Sequence, residues 1–222
     1  MSKYHFSIEE VKHIALATIA LAFAFSLILN SDAIFGSFFI ESYKLSYFTN
    51  ALIAVGLAFI LHELAHKFVA QKKGLWAEFR AWPMGLVMAV ALAVFTRGGF
   101  VFAAPGATMI SGKRSPLGYC LSHINLKDMG VIGISGPVVN VILTAIALPF
   151  AAMGFQLAIV TAQVNAWLAI FNMIPFAMLD GAKVWQWSKP LWMGFFALCV
   201  GMFAITLMVK YNGKNKSIKP SM

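Results

Sequence analysis

Two histidines, His62 and His66, lie on either side of Glu63 in the sequence His-Glu-Leu-Ala-His. If this segment is helical, the spacing places both imidazoles on one face, close enough to bind the same metal ion. A glutamate next to the first histidine can then take a proton from a water molecule at that metal. Two imidazoles, together with one carboxylate and an open coordination position, suit zinc first. The pattern therefore predicts one Zn2+ per chain and hydrolytic chemistry with Glu63 as the general base.

The residues around this pattern are strongly apolar, from residue 47 to residue 70. Over the whole chain of 222 residues, 60% are hydrophobic and 11% are charged, and the mean hydropathy is +0.80. A soluble domain of this composition would aggregate, whereas the composition is typical of proteins that lie in a bilayer. We therefore expect an integral membrane protein that holds its metal site in an apolar region.

Five apolar runs are each close to the ~20 residues that a helix needs to cross a hydrocarbon layer of ~30 Å. They cover residues 14–29, 50–70, 129–153, 157–179 and 190–209. No small-residue cleavage site follows the first run, so we interpret it as a retained transmembrane helix. The expected fold is an all-α polytopic membrane protein with about five transmembrane helices, organised as a single domain over residues 1–222.

The basic residues favour a membrane topology over nucleic-acid binding. The formal net charge is +9, but the Lys and Arg residues are scattered over loops and chain ends instead of forming a stripe with aromatic residues. Lys3 and Lys12 precede the first run, and eight basic residues from Lys67 to Lys127 follow the second, so both flanks are expected in the cytoplasm. We predict a multi-pass protein of the cell membrane, with an external loop at 30–47 and the active site toward the cytoplasmic side.

The last run, at 190–209, is followed by a basic tail. If its helix crosses outward, this tail lies outside, against the usual charge bias. Either the helix does not fully cross or the rule fails here. We keep residues 190–209 as a fifth span, in the form of a C-terminal helix peripheral to the catalytic core.

The segment at 82–128 is expected to dip into the membrane from the cytoplasmic side without crossing it. Its apolar part, residues 83–95, is only 13 residues long, and a glycine pair follows it. Residues 101–110 have some strand character, which favours a short re-entrant or β-hairpin segment between the second and third transmembrane helices. With this segment non-spanning, the fourth run brings Asp180 to the cytoplasmic side, near the zinc.

A zinc site with two histidines needs a third protein ligand, because catalytic zinc usually has three and keeps one position for water. The chain has eight acidic residues, and after Glu78 only Asp128 and Asp180 remain. Asp128 lies in a polar loop, whereas Asp180 follows Pro175, which breaks a membrane helix. Elimination favours Asp180 as the third ligand, with His123 as the reserve. An ordinary helix end followed by a turn is the alternative interpretation of this segment.

Three motifs occur in a fixed order along the chain. They are His-Glu-x-x-His at 62–66, a glycine-proline motif at 133–140, and Asn-x-x-Pro at 172–175 followed by Leu-Asp-Gly at 179–181. In these motifs the chain resembles the site-2 protease family of intramembrane zinc metalloproteases. The resemblance covers roughly residues 51–181, so the catalytic core is expected at about 47–181.

The resemblance implies hydrolysis of a peptide bond in or near a membrane-spanning segment, so the expected partners are a transmembrane protein substrate and the lipid bilayer. It implies zinc on His62, His66 and Asp180. Glu63 would move the proton, and Asn172 would bind the substrate backbone or the developing oxyanion. For Asn172, a helix-packing amide is the alternative. A membrane metal-binding transporter, or a non-proteolytic scaffold that retains the motif, is the alternative function.

Supporting roles are expected for two segments beside this site. Residues 98–110 could offer an extended edge to which a substrate adds as a strand, because peptide bonds in a helix are shielded by their own hydrogen bonds. A membrane-dipping plug is the alternative. In the glycine-proline motif, Gly133, Gly136 and Pro137 are predicted to serve close packing and a local kink. The role of Asn140 stays open.

Overall fold

The computed structural model describes residues 6–29, 44–112 and 124–218, with side chains described up to residue 209. His123, the reserve ligand, lies outside these residues, as does most of the predicted external loop. The described chain is mostly helical. Its elements in order are α1 (Ile8–Leu29), α2 (Leu45–Val55), a π-helical turn (Gly56–Ile60), α3 (Leu61–Lys72), β1 (Trp76–Ala81), α4 (Pro83–Phe95), β2 (Gly106–Ser111), α5 (Leu126–Ala152), α6 (Gln156–Asn172), α7 (Asp180–Trp187) and α8 (Lys189–Ile218).

Within the described residues, four helical stretches are long and apolar enough to cross a membrane. They are Ile8–Leu29, Leu45–Lys72, Leu126–Ala152 and Lys189–Val209. The run predicted at 157–179 is shorter as a helix, because α6 has 17 residues and ends at Asn172. Pro175 has no N–H to continue the helix and disfavours the helical conformation of the residue before it. Ala177 then takes a left-handed φ of 51°, and the chain becomes helical again at Asp180.

The segment between α3 and α5 contains a two-stranded antiparallel sheet of β1 and β2. The 13-residue helix α4 lies between the strands along the chain, so no tight turn joins them. Phe79 is the register partner of Thr108. The strand character predicted for residues 101–110 is observed only from Gly106, and Val101 is buried in an irregular stretch before it. Both strands pack on α3, which places the sheet beside the two histidines.

Helix α5 occupies the centre of the site region, in contact with α3, α6 and α7. Small residues on α5 allow α7 to come close. A Cβ at Gly130 would lie 2.5 Å from the Trp187 ring, and a Cβ at Gly133 would lie 3.1 Å from Cβ of Lys183. Close approach through small residues is the usual packing mode of helices in a membrane. This close approach places α7, whose first residue is Asp180, against α5. Helix α5 in turn packs on α3, which carries the two histidines.

A buried ion pair joins α1 to α3. The Lys67 ammonium donates to the Glu10 carboxylate, and both side chains are buried. The other carboxylate oxygen of Glu10 accepts the backbone N–H of Phe79 at 3.1 Å. From the sequence, Lys67 is expected among the basic residues of the cytoplasmic flank. In the structure its side chain is instead inside the protein. Because Lys67 follows His66, this contact anchors the N-terminal helix and the sheet to the histidine helix.

Candidate metal centre

His62 and His66 lie on successive turns of α3, and their Nε2 atoms are 3.0 Å apart. Both side chains are buried. The π-helical turn Gly56–Ile60 immediately precedes α3, and within it the carbonyl of Ala58 accepts a hydrogen bond from the side-chain amide of Asn140 at 3.1 Å. Turns of this type are rare and are frequently found at functional sites. Here the turn links the histidine helix to the centre of α5.

Asp180 completes a group of three side chains with these histidines. Its Oδ2 atom is 2.9 Å from Nε2 of His66 and 3.2 Å from Nε2 of His62, and the side chain is buried. Asp180 begins α7 after the irregular residues 173–179. A Cβ at Gly181 would collide with the backbone carbonyl of Met173, so glycine at this position lets the chain turn back closely. The structure thus brings together the three ligands predicted from sequence, two from α3 and one from α7.

The hydrogen bonds on the far side of each imidazole determine which nitrogen faces the centre as an acceptor. Nδ1 of His66 is 2.7 Å from the carbonyl oxygen of Ile132, and Nδ1 of His62 is 2.6 Å from Oδ1 of Asn140. The Asn140 amide nitrogen donates to Ala58 and to Oδ1 of Asn165 at 2.9 Å, so its oxygen faces His62. Each Nδ1 therefore donates, as in most metal-binding histidines. Both Nε2 lone pairs point into the site.

Three electron-pair donors this close together require a cation between them, either a proton or a metal ion. Zinc binds imidazole nitrogen and carboxylate oxygen at about 2.0–2.2 Å, which at tetrahedral angles separates the ligand atoms by about 3.3 Å. The three observed separations are 3.0, 2.9 and 3.2 Å. The donor set and spacing therefore fit one zinc ion with three protein ligands and an open fourth position.

Gly136 lies directly against this group. A Cβ on Gly136 would be 2.5 Å from Nε2 of His66 and 2.6 Å from Nε2 of His62. The position was predicted to serve helix packing, and the structure adds that the surface it packs against is the pair of imidazoles. Helix α5 thus encloses one side of the centre with backbone atoms at Gly136, where there is no room for a side chain.

Glu63 is buried beside the same centre. Its Oε2 atom accepts a hydrogen bond from the Thr108 hydroxyl of β2 at 2.8 Å. Glu63, His66, Asp180 and Asn172 line a shared cavity of about 20 Å3, which is room for about one water molecule. Asn172 also donates its side-chain amide to the Leu168 carbonyl at 3.0 Å. The residues predicted to carry the chemistry therefore surround one small space.

Lys183 adds a positive charge to the centre. Its ammonium group donates to Oδ1 of Asp180 at 2.9 Å. Burial alone would raise the pKa of the Asp180 carboxyl, but the neighbouring His66, the charge of Lys183 and the close contact with His62 hold that pKa well below its usual range. Burial acts to lower the pKa of Lys183, and the charge and hydrogen bond of Asp180 outweigh it, so this pKa is raised. Asp180 is thus an ionised carboxylate, as a metal ligand must be.

Three residues at the centre had no assigned role in the sequence: Asn140, Thr108 and Lys183. Asn140 lies in the glycine-proline motif, which was a visible signal, but its contact with His62 spans 78 positions of the chain. Thr108 reaches Glu63 across 45 positions, and no local pattern singles it out. Lys183 is three residues after Asp180, and that helical spacing was the available signal.

Comparison with known proteins places this centre in a family. No protein-family model matches the chain, and no solved structure matches it. A protein of Methanocaldococcus jannaschii named "putative zinc metalloprotease" is 33% identical over 199 residues, which cover 86% of this chain and 91% of that protein. At this identity and coverage the relationship extends over nearly the whole of both chains. The chain therefore belongs to the same family of zinc metalloproteases as this archaeal protein.

Proposed function

We propose that the chain is an intramembrane zinc metalloprotease of the site-2 protease type, which hydrolyses peptide bonds in or near transmembrane segments of membrane proteins. The observation that carries the proposal is the buried group of His62, His66 and Asp180. Its histidines lie in the helical stretch Leu45–Lys72, which is long and apolar enough to cross a membrane. His62 is ten residues from the end of this stretch, or about 15 Å along the helix axis. This depth supports a centre inside the hydrocarbon layer.

The chemistry proposed for the centre uses the residues around the small cavity. A zinc ion on the three ligands would supply a Lewis acid that makes a water molecule acidic near neutral pH. Glu63 accepts the proton of the attacking water and returns it to the leaving amine. Thr108 holds one oxygen of Glu63, which leaves the other free for the proton. Asn172 lines the cavity and is proposed to bind the substrate backbone or the developing oxyanion.

The substrate must be extended at the cleaved bond, and β2 is the proposed binding edge. Among the described residues β2 pairs with β1 alone, and Thr108 of β2 contacts Glu63. A substrate strand added to β2 would run past the general base. Binding of a peptide substrate to the inactive Glu63→Gln variant should then protect β2 amides from hydrogen exchange. Unchanged hydrogen exchange in β2 would contradict this mode of binding and favour the alternative, in which residues 98–110 form a membrane-dipping plug.

We also propose that the chain is a multi-pass protein of the cell membrane with its active site toward the cytoplasm. Gln156, at the start of α6, and Lys72, at the end of α3, are exposed and would then lie on opposite sides of the membrane. In intact cells a membrane-impermeant thiol reagent should label a cysteine at Gln156 and not one at Lys72. The reverse pattern would show that the orientation is inverted.

Two measurements test the proposed activity. Zinc content of the detergent-purified protein should be about one ion per chain in the wild type and strongly reduced in Asp180→Asn, because the variant loses a charged ligand. Cleavage of a membrane-protein substrate should be lost in Glu63→Gln while zinc is retained, because Glu63 is not a ligand. Full zinc retention in Asp180→Asn would mean that the third ligand is misassigned. Normal function in Glu63→Gln would favour a transporter or scaffold.

A further inference from the structure

Lys183 is the one lysine or arginine among the described residues that line the cavity of the metal centre. It lies on α7, one turn after Asp180, and its side chain is 22% exposed. Helix α5 makes room for it, because a Cβ at Gly133 would lie 3.1 Å from Cβ of Lys183 and 3.2 Å from the Asp180 carbonyl. An ion pair of this spacing on an exposed helix contributes little to the free energy of folding. Here the pair is enclosed between two helices and directed at the candidate metal ligand.

The two carboxylate oxygens of Asp180 have different partners. Oδ2 faces both imidazoles, at 2.9 Å and 3.2 Å. Oδ1 accepts the hydrogen bond from the Lys183 ammonium at 2.9 Å. A carboxylate can bind a metal ion through one oxygen or through both. With Oδ1 held by Lys183, only Oδ2 remains directed at the centre.

We propose that Lys183 is a positioning residue that makes Asp180 a one-oxygen ligand and so keeps the centre four-coordinate, with three protein donor atoms and one water molecule. This inference rests on the metal centre of the proposed function. In the absence of Lys183, Oδ1 is released and can turn toward the metal, which would give a centre with four protein donor atoms and one water molecule, and so a five-coordinate one. Lys183 therefore acts through Asp180, and its effect should be visible in the geometry of the bound ion as well as in its affinity.

Cobalt(II) in place of zinc reports the coordination number directly, because four-coordinate Co2+ absorbs visible light much more strongly than five-coordinate Co2+. The purified full chain should be titrated with Co2+ alone, and separately with Zn2+ in competition with a chelator. Lys183→Met removes the charge with little change in side-chain volume. Lys12→Met is the matched control, because Lys12 forms an ion pair of the same type with Glu9, at 3.1 Å, away from the centre.

The wild type and Lys12→Met should both show the intense four-coordinate cobalt spectrum. Lys183→Met should show a weaker, five-coordinate spectrum and a zinc affinity about 10–100-fold lower, which is the usual effect of losing a partner of a metal ligand. Lys183→Arg, which keeps the charge and the donors, should retain the wild-type spectrum. If Lys183→Met does not fold, Lys183→Gln removes the charge with a polar side chain and should show the five-coordinate spectrum.

Two results would overturn the inference, and they are distinguishable. A wild-type spectrum and zinc affinity in both charge-removing variants would show that Lys183 does not control Asp180, while the proposed metal centre would stand. A wild-type protein that binds neither Co2+ nor Zn2+ would overturn the proposed function and this inference together.

Discussion

Replacing Gly136 by alanine should disrupt the metal centre from the side of α5. The added Cβ would lie 2.5 Å and 2.6 Å from the Nε2 atoms of His66 and His62. Ordinary carbon–nitrogen contacts are about 3.5 Å, so one partner must move by about 1 Å. Ligand positions in a metal site tolerate deviations of only about 0.2 Å. The substitution therefore cannot be accommodated without changing the ligand geometry.

The imidazoles cannot simply rotate away, although they are the ends of side chains. His62 is held by Asn140 at 2.6 Å, and His66 by the carbonyl of Ile132 at 2.7 Å. Rotation would break these hydrogen bonds, and a shift of α5 would disturb the packing of the helix that contacts α3, α6 and α7. Overpacking of this kind costs about 1–3 kcal/mol. If this free energy destabilises only the metal-bound form, zinc affinity should decrease by about 5–150-fold.

The assay is zinc affinity of the purified protein, measured by competition with a chelator. Gly194→Ala is the matched control, because a Cβ at Gly194 on α8 would meet no atom within 4 Å. The control should bind zinc like the wild type. Zinc affinity of Gly136→Ala within about twofold of the wild type would refute the reasoning, since it would mean that α5 does not pack against the imidazoles as closely as the structure indicates.

Three further predictions concern the contacts around the centre. Asn140→Ala removes the acceptor that orients one imidazole, so zinc affinity by chelator competition should fall about 10–100-fold; wild-type affinity would contradict the orienting role. Thr108→Val removes the hydrogen bond to Glu63, so substrate hydrolysis should slow by about tenfold at unchanged zinc content, and loss of zinc would instead assign the strand a role in metal binding. Lys67→Met leaves Glu10 buried and unpaired, which should lower the free energy of unfolding in detergent by about 3–5 kcal/mol. Adding Glu10→Gln should recover part of this loss, and an equal loss in the double variant would indicate that packing of the lysine side chain, and not charge, is responsible.

The helices and their membrane character could be predicted in large part because both depend on local composition. Four of the five apolar runs correspond to helical stretches long enough to cross a membrane. The run at 157–179 differs, because hydropathy does not register that Pro175 interrupts the backbone hydrogen bonds, and α6 ends at Asn172. The predicted strand at 101–110 is likewise shorter, since pairing with β1 begins only at Gly106.

The sequence by itself determined the candidate ligands, because helical spacing places His62 and His66 on one face and few acidic residues compete with Asp180. Only the tertiary structure decided what surrounds them. The packing of α5 and β2 against α3 brings Asn140 to His62 and Thr108 to Glu63 across 78 and 45 positions of the chain. Local periodicity carries no information about such contacts, since they depend on how separate helices and strands pack against one another.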